Sequence, residues 1–108
     1  MLEGILYRVV SRADNAATVC LLPESSIYKA HFPAYPVTPG VTLVQMALEL
    51  MGRKLTGARD IKFIVPVQPA ADGPELRYSW SYKDDTTADV MLCLADGTLC
   101  AKMTLSVQ

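Results

Sequence analysis

The residues that could do acid–base chemistry lie close together in the first half of the chain, between His31 and Glu49. His31 is the only histidine, and a neutral imidazole can act as a base near pH 7. Prolines at positions 33, 36 and 39 stiffen the segment that follows it. The backbone N–H of Gly40, at the positive end of a predicted helix, can stabilise charge on a carbonyl oxygen. This pair suits the removal of a proton from the carbon next to a carbonyl group.

Two polar residues lie on one face of the predicted helix. Gln45 lies fourteen residues after His31, and Glu49 lies one helical turn further along the same face. An amide can hold a water or a hydroxyl group by hydrogen bonds, but it cannot deliver a proton. A solvated helix face would carry the same residues, so Gln45 fits a surface as well as a site, and Glu49 is more typical of a surface.

The helix that carries these residues is predicted to run from Pro39 to about Leu55. Thr38 is its expected N-cap, proline at the first helical position is harmless, and Gly57 suits its exit. Its polar residues form one narrow stripe, while apolar residues cover most of its circumference. We therefore expect the helix to be buried on most sides.

The remaining pattern predicts strands, with one short helical turn at 25–29 in a proline-rich segment. Runs rich in β-branched and aromatic residues, or alternating between apolar and polar residues, cover 5–12, 17–22, 61–67, 76–82, 90–95 and 99–107. The first two runs form a predicted hairpin, and Asp96-Gly97 is a strong turn signal between the last two. One long apolar helix and an antiparallel meander predict an α+β fold whose sheet curls around the helix.

Length, charge and composition limit the classes of function. A chain of 108 residues is expected to form a single domain over 1–108. A formal charge of −1 without blocks of like charge argues against nucleic acid, and no apolar run approaches the roughly 20 residues that span a bilayer. Without an export or transit signal, we expect a cytoplasmic protein. Hydrophobic residues make up 51% of the chain, which predicts subunit association or an enclosed apolar ligand.

The three cysteines, Cys20, Cys93 and Cys100, are odd in number and lie among apolar neighbours without C-x-x-C spacing. This pattern is typical of buried small side chains. We therefore expect neither a disulfide framework nor a metal site.

Residues 31–41, with the sequence HFPAYPVTPGV, resemble the signature of the hot-dog-fold 3-hydroxyacyl-acyl-carrier-protein dehydratases. That signature reads H-F-P-G-x-P, then V or I, then x-P-G and V or C, just before the central helix. Residues 62–67, KFIVPV, are similar to the family's strand after the helix, and Asp96-Gly97 is similar to its last hairpin. The resemblance covers roughly residues 5 to 107.

The resemblance implies a hot-dog fold of about five antiparallel strands around the helix. It also implies a lyase that eliminates water from 3-hydroxyacyl thioesters to give trans-2-enoyl thioesters, without metal or redox cofactor, and with acyl carrier protein as the usual carrier. The roles it implies are His31 as the base and the backbone N–H of Gly40 as the oxyanion donor. The family's helix carboxylate, contributed by the other subunit of a dimer, falls at Gln45.

Four mechanisms remain open because Gln45 cannot donate a proton. His31 could return the proton it took, which we favour, or Glu49 could serve as a secondary acid. A different hot-dog partner in a heterodimer could supply an acid, or the chain could be an acyl-binding subunit without turnover. A hot-dog thioesterase that uses Glu49 to activate water is a further alternative. The candidate substrate-binding residues are apolar side chains near the motif and along the helix, namely Phe32, Pro39, Val41, Val44, Leu48 and Phe63.

Overall fold

The structure, a computed structural model, describes residues 1–30, 37–69 and 75–108, without the side chains of residues 29 and 30. Within these residues the elements are β1 (Tyr7–Ala13), β2 (Ala16–Leu21), α1 (Ser26–Ala30), α2 (Gly40–Met51), β3 (Leu55–Phe63), β4 (Glu75–Asp84), β5 (Thr87–Leu94) and β6 (Leu99–Val107). The described strands form one antiparallel sheet of six, in the order β1-β2-β4-β5-β6-β3. The α+β prediction is confirmed: the described sheet has six strands, as many as the predicted runs and one more than the five or so that the resemblance implies.

Both predicted hairpins are present. Strands β1 and β2 are paired up to Ala13 and Ala16, and β5 and β6 flank the Asp96-Gly97 turn. Gly97 has a φ of 94°, which glycine adopts without steric cost, and an Asp96 carboxylate oxygen accepts the backbone N–H of Thr98 at 2.9 Å. The turn chemistry read from the sequence therefore sets the register of the last hairpin.

The predicted end of the long helix is wrong. Helix α2 ends at Met51 because Gly52 takes the left-handed conformation, with a φ of 68°. The backbone N–H groups of Gly52 and Arg53 then donate to the carbonyls of Glu49 and Leu48, which closes the last turn. The next strand correspondingly spans Leu55–Phe63 rather than 61–67, and Gly57 lies inside it.

Helix α2 packs into the hydrophobic core through half of its twelve residues. The buried residues are Leu43, Val44, Met46, Ala47, Leu48 and Leu50. Two side chains from the strands also bind the helix backbone: the Tyr78 hydroxyl donates to the carbonyl of Leu43 at 2.8 Å, and Arg12 donates to the carbonyl of Leu50 at 3.1 Å. These two hydrogen bonds fix the position of the helix on the sheet. The apolar pattern predicted the burial of the helix but not these bonds.

Strand β3 is the last strand of the described sheet and pairs with β6 along one side. Seven of its nine residues are exposed. Among the cysteines, Cys20 and Cys100 are buried as expected and Cys93 is half-buried. No helix of the described residues is long and apolar enough to cross a membrane.

Candidate functional site

The segment that leads into α2 is held by two hydrogen bonds. Thr38 donates its backbone N–H to the carbonyl of Val67 at 2.8 Å, and its hydroxyl lies 2.8 Å from the hydroxyl of Tyr28. Both side chains are buried. The expectation that Thr38 caps the helix is therefore wrong: its hydroxyl is committed to Tyr28, and Pro39 occupies the cap position without a side-chain cap bond. The two hydrogen bonds of Thr38 fix the direction in which α2 begins.

Gly40 is the first residue of α2, and its amide lies at the open end of the helix. The carbonyl of Pro39 accepts the amides of Thr42 at 3.0 Å and Leu43 at 3.2 Å, together with the Thr42 hydroxyl at 2.6 Å. The amides of Gly40 and Val41 have no acceptor within the described residues. Unpaired N–H groups at a helix N-terminus attract negative charge, so the amide of Gly40 can act as an oxyanion donor.

The aromatic ring of Phe63 lies against Gly40. A β-carbon built on Gly40 would come within 2.6 Å of the ring's Cζ atom and 2.8 Å of Cε2, closer than real β-carbons approach. Phe63 itself is 51% exposed at the end of β3. Because glycine has no β-carbon, the Phe63 ring can pack directly beside the helix terminus.

An apolar cleft of about 360 Å³ opens beside this pair. Its walls are Thr38 and Gly40 at the helix start, Leu43 one turn later, and the segment from Phe63 to Val67. Gly40, whose amide has no acceptor within the described residues, is thus one wall of a mostly apolar cleft. This combination can hold a carbonyl group at the helix terminus and an acyl chain beyond it.

A second groove, of about 320 Å³, runs along the outer face of α2. It is lined by Val41, Val44, Gln45 and Leu48 from the helix and by Leu55 from β3, with Arg53 and Lys54 at its end. Val41 is 77% exposed and Leu55 is 43% exposed. The structure therefore leaves an apolar surface uncovered directly beside the outer strand.

Glu49 is held at the edge of this face by hydrogen bonds from several parts of the chain. Its carboxylate accepts the backbone N–H of Leu2 at 2.8 and 3.1 Å, the backbone N–H of Glu3 at 3.2 Å and the hydroxyl of Tyr7 at 2.9 Å. The side-chain amide of Gln45 donates to the same carboxylate at 3.1 Å. Glu49 is thus a shared acceptor that joins the helix to β1 and to the residues before it.

These contacts determine the ionisation of the carboxyl group. Partial burial raises the pKa of Glu49, but the hydrogen bonds from Leu2, Gln45, Tyr7 and Glu3 outweigh it and lower the pKa below its ordinary value. In turn, burial and the neighbouring carboxylate raise the pKa of Tyr7 far above its ordinary value. At neutral pH Glu49 is therefore an anionic acceptor, an arrangement that does not favour the secondary-acid role.

The described residues divide the predicted site between two places. Phe63 lies with Gly40 at the apolar cleft, and half-buried Pro39 precedes them. Val41, Val44 and Leu48 instead line the outer groove with Gln45, and of these three Val44 and Leu48 are also buried in the core. His31 and Phe32 lie outside the described residues. No group of three or more potential metal ligands occurs within the described part of the chain.

Three residues that hold the site residues in place were not predicted from the sequence. Tyr28, Tyr7 and Val67 act through contacts to Thr38 and Glu49, and the bond from Tyr7 to Glu49 joins residues 42 apart. A buried tyrosine that pairs with a polar helix residue leaves no periodic signal in the sequence. A tyrosine in an otherwise apolar strand run was the one available hint.

An antiparallel sheet packed against one long central helix, with the helix N-terminus at an apolar cleft, is the hot-dog fold. The chain belongs to the ApeI-like family: the model of that family, described as ApeI dehydratase, matches residues 9–103. No curated protein matches the chain by sequence.

Solved structures share the same architecture at low sequence identity. The Escherichia coli PaaI protein of the phenylacetic acid degradation operon has a TM-score of 0.60 and 14% identity, over 94% of this chain and 82% of its own. The smu.793 protein of Streptococcus mutans, bound to acetyl CoA, also has a TM-score of 0.60 and 14% identity, over 94% and 88%. A hypothetical thioesterase of Streptococcus pneumoniae, with coenzyme A, has a TM-score of 0.56 and 15% identity, over 94% and 85%. These likenesses establish the fold.

Proposed function

We propose that this protein is a dehydratase that eliminates water from 3-hydroxyacyl thioesters to give trans-2-enoyl thioesters. One observation carries the proposal: the amide of Gly40 lies at an apolar cleft at the start of α2, directly after the HFPAYPVTPGV segment that contains His31. The family's description as a dehydratase supports the same reaction.

The reaction begins when the imidazole of His31 removes a proton from C2 of the substrate. Negative charge develops on the thioester carbonyl oxygen, and the backbone N–H of Gly40 stabilises it at the positive end of α2. The electrons of the C2–H bond form the C2=C3 double bond as the C3–O bond breaks. The hydroxyl group leaves with the proton that the imidazolium returns, so the products are the enoyl thioester and water.

The role of Gln45 in this scheme is to hold the departing hydroxyl group. Within one chain Gln45 lines the outer groove and Gly40 lines the apolar cleft, so the amide comes from the second copy of the dimer, as the resemblance implies. An amide orients a hydroxyl by hydrogen bonds without supplying a proton, and His31 completes the proton balance. The hydrogen bonds to Glu49 and its lowered pKa favour this scheme over one in which Glu49 donates the proton.

The working unit is a dimer of this chain. Val41 on α2 and Leu55, the first residue of β3, are both exposed apolar residues. The outer edge of β3 carries backbone groups that a second strand can pair with. A second copy seated there would cover both the groove and the strand edge. A heterodimer with a different hot-dog chain would use the same surface.

The carrier of the acyl chain is acyl carrier protein. Lys62 and Lys102 are register partners on β3 and β6, and both are exposed. Like charges directly opposite each other are unfavourable, so an acidic partner would relieve them. Arg53 and Arg59 contribute less, since each is engaged by the protein itself, Arg53 with the ring of Tyr82 and Arg59 with a serine hydroxyl.

Two alternatives have specific support. A thioesterase is consistent with the hypothetical thioesterase among the structural neighbours, but it would need Glu49 to activate water, and that carboxylate is already engaged. An acyl-binding subunit without turnover is consistent with Gln45 in place of a carboxylate.

An assay of the purified protein separates the three readings. We expect it to convert 3-hydroxyacyl thioesters to enoyl thioesters, measured by the absorbance of the conjugated product, and to leave saturated acyl thioesters intact. His31→Ala should abolish the conversion without changing the thermal unfolding midpoint appreciably.

Release of free thiol from saturated acyl thioesters would support the thioesterase instead. Acyl binding without either reaction would support the non-catalytic subunit, and a repeat with a second hot-dog chain from the same genome would test for an active heterodimer. Dehydration that survives His31→Ala would contradict the proposed mechanism.

A further inference from the structure

The side-chain amide of Gln45 is exposed on α2, yet its orientation is determined by a neighbour. We infer that Glu49 is a positioning residue: by binding the NH₂ group of Gln45, it presents the carbonyl oxygen of that amide as the acceptor for the substrate's 3-hydroxyl group. This inference rests on the proposed dehydratase function and specifies how its substrate is recognised.

The first step is that Glu49 is fixed without help from Gln45. The carboxylate is bound by the backbone amides of Leu2 and Glu3 and by the hydroxyl of Tyr7, which is buried in the core. These three donors come from the β1 side of the molecule, whereas Gln45 and Glu49 share one face of α2. Their bonds hold the carboxylate at one place whatever the amide does.

The second step is that the contact between the two side chains allows one amide orientation. An ionised carboxylate has acceptors and no donor, so the Gln45 group that approaches Oε2 of Glu49 at 3.1 Å must be the NH₂ group. The lowered pKa of Glu49 keeps its carboxylate ionised at neutral pH. The reverse orientation would bring two acceptors together.

The third step concerns the other end of the amide. The carbonyl oxygen of Gln45 has no donor within the described residues, and the side chain is exposed in the outer groove. A carbonyl oxygen accepts hydrogen bonds, and a hydroxyl group donates one while its oxygen lone pairs stay available. The oriented amide can therefore bind the 3-hydroxyl hydrogen and leave the lone pairs of that oxygen available for protonation.

This arrangement favours 3-hydroxyacyl chains over saturated ones. A saturated chain has no donor for the carbonyl oxygen of Gln45, so binding it would leave that acceptor without a partner once water is displaced. Without Glu49, the amide could rotate and offer its NH₂ group, which would compete with the imidazolium for the same oxygen lone pairs. Glu49 thus acts through Gln45 and need not touch the substrate.

A double-mutant cycle in kcat tests the inference. Glu49→Gln should lower kcat for a 3-hydroxyacyl thioester by about tenfold, the equivalent of one oriented hydrogen bond, with a smaller change in KM. In a Gln45→Ala background the same substitution should have no further effect, because Glu49 would act only through the missing amide. Equal falls in kcat in both backgrounds would show a merely structural role and overturn the inference.

Glu24→Gln is the matched control, since it makes the same chemical change at an exposed glutamate outside α2. We expect kcat to stay within about twofold of wild type. A fall in kcat as large as that of Glu49→Gln would mean that the loss of any carboxylate charge lowers activity, and it would overturn the positioning role.

A measurement on the wild-type chain covers the case in which Glu49→Gln does not fold. The side-chain amide NMR signals of Gln45, assigned by their loss in Gln45→Ala, should shift with the titration of Glu49, below the ordinary pKa of about 4.3. Signals that do not move with pH would overturn the inference.

The two levels of failure are distinct. A wild-type protein that dehydrates no 3-hydroxyacyl thioester, alone or with a hot-dog partner, contradicts the proposed function and, with it, the substrate contact. A wild-type protein that dehydrates but gives no coupling in the cycle contradicts the positioning role alone.

Discussion

The outer edge of the Phe63 ring lies against Gly40, so that a side chain at position 40 would occupy the space the ring now fills. This contact links the end of β3 to the first residue of α2. It places an aromatic ring beside the amide proposed to stabilise the oxyanion. Gly40 thus shapes the cleft and also carries the amide proposed as the oxyanion donor.

The contact predicts that Gly40→Ala displaces the ring. Because Phe63 is half exposed and can turn outward, we expect a loss of stability near the lower end of overpacking costs, about 1 kcal/mol, together with a large loss of dehydration. Chemical denaturation and the activity assay measure the two effects.

Gly57→Ala is the control for this substitution, because a β-carbon there would meet its neighbour Ser106 at an ordinary 3.8 Å. It should change the free energy of unfolding by less than about 0.5 kcal/mol. Adding Phe63→Ala to Gly40→Ala should recover part of the stability; strictly additive losses would contradict the steric explanation.

The hydrogen bond between Tyr28 and Thr38 predicts a second stability effect. Both groups are buried, so Thr38→Val should leave the tyrosine hydroxyl without its partner and cost about 1–3 kcal/mol. The double variant Tyr28→Phe with Thr38→Val should lose less than the sum of the two single variants, measured by chemical denaturation. A loss of stability in the double variant equal to the sum of the two single losses would mean that the hydrogen bond does not form in solution.

The hydrogen bonds to Glu49 predict a pH dependence of stability. Since the pKa of Glu49 is lower in the folded protein than in the unfolded chain, its contribution is present above the unfolded pKa and is lost as pH falls through the folded pKa. Wild type should therefore be more stable than Glu49→Gln at pH 7, and the difference should shrink as pH is lowered below about 4.3. Denaturation curves between pH 3 and 7 test this, and a constant difference would contradict it.

Gln45→Glu is predicted to maintain or raise dehydration. The new carboxyl group would lie where the amide nitrogen now lies, 3.1 Å from the Glu49 carboxylate, and two like charges at that distance raise the pKa of the pair. The variant would then hold a proton that wild type lacks, and its pH–rate profile should gain a limb from this pair.

Combining Gln45→Glu with Glu49→Gln should move that limb to lower pH, because the like charge is removed. A Gln45→Glu variant with less activity than wild type at every pH would contradict the assignment of this position to the departing hydroxyl group.

The uncovered groove on α2 predicts that a charge there breaks the dimer. Val41→Asp should give a folded monomer, because an acidic residue in the first helical turn is favourable for the helix but cannot be buried against a second copy. Light scattering after size-exclusion chromatography measures the mass. Met91→Asp, at an apolar position on β5 that is 42% exposed, is the control and should leave the proposed dimer intact. The reverse pattern would place the interface on the other face of the sheet.

Much of the fold was readable from local patterns. The alternation along β4 and β6, the Asp96-Gly97 turn and the apolar helix each carry a signal within a few residues, and they predicted the α+β architecture and both hairpins. The motif around His31 and Gly40 is equally local, which is why it indicated the family from sequence. The end of α2 was misjudged because Gly52 and Gly57 look alike in a sequence, and the left-handed backbone selects one of them.

The local sequence, then, determined which elements form and which residue types surround the helix start. The tertiary structure alone decided that Phe63 meets Gly40, that Val41 is exposed in the outer groove while Val44 and Leu48 are buried, and that Glu49 is shared by Leu2 and Tyr7. The physical reason is distance along the chain. Hydrogen bonds and ring contacts between residues more than twenty positions apart depend on how the sheet and helix pack, and no periodicity in the sequence records them.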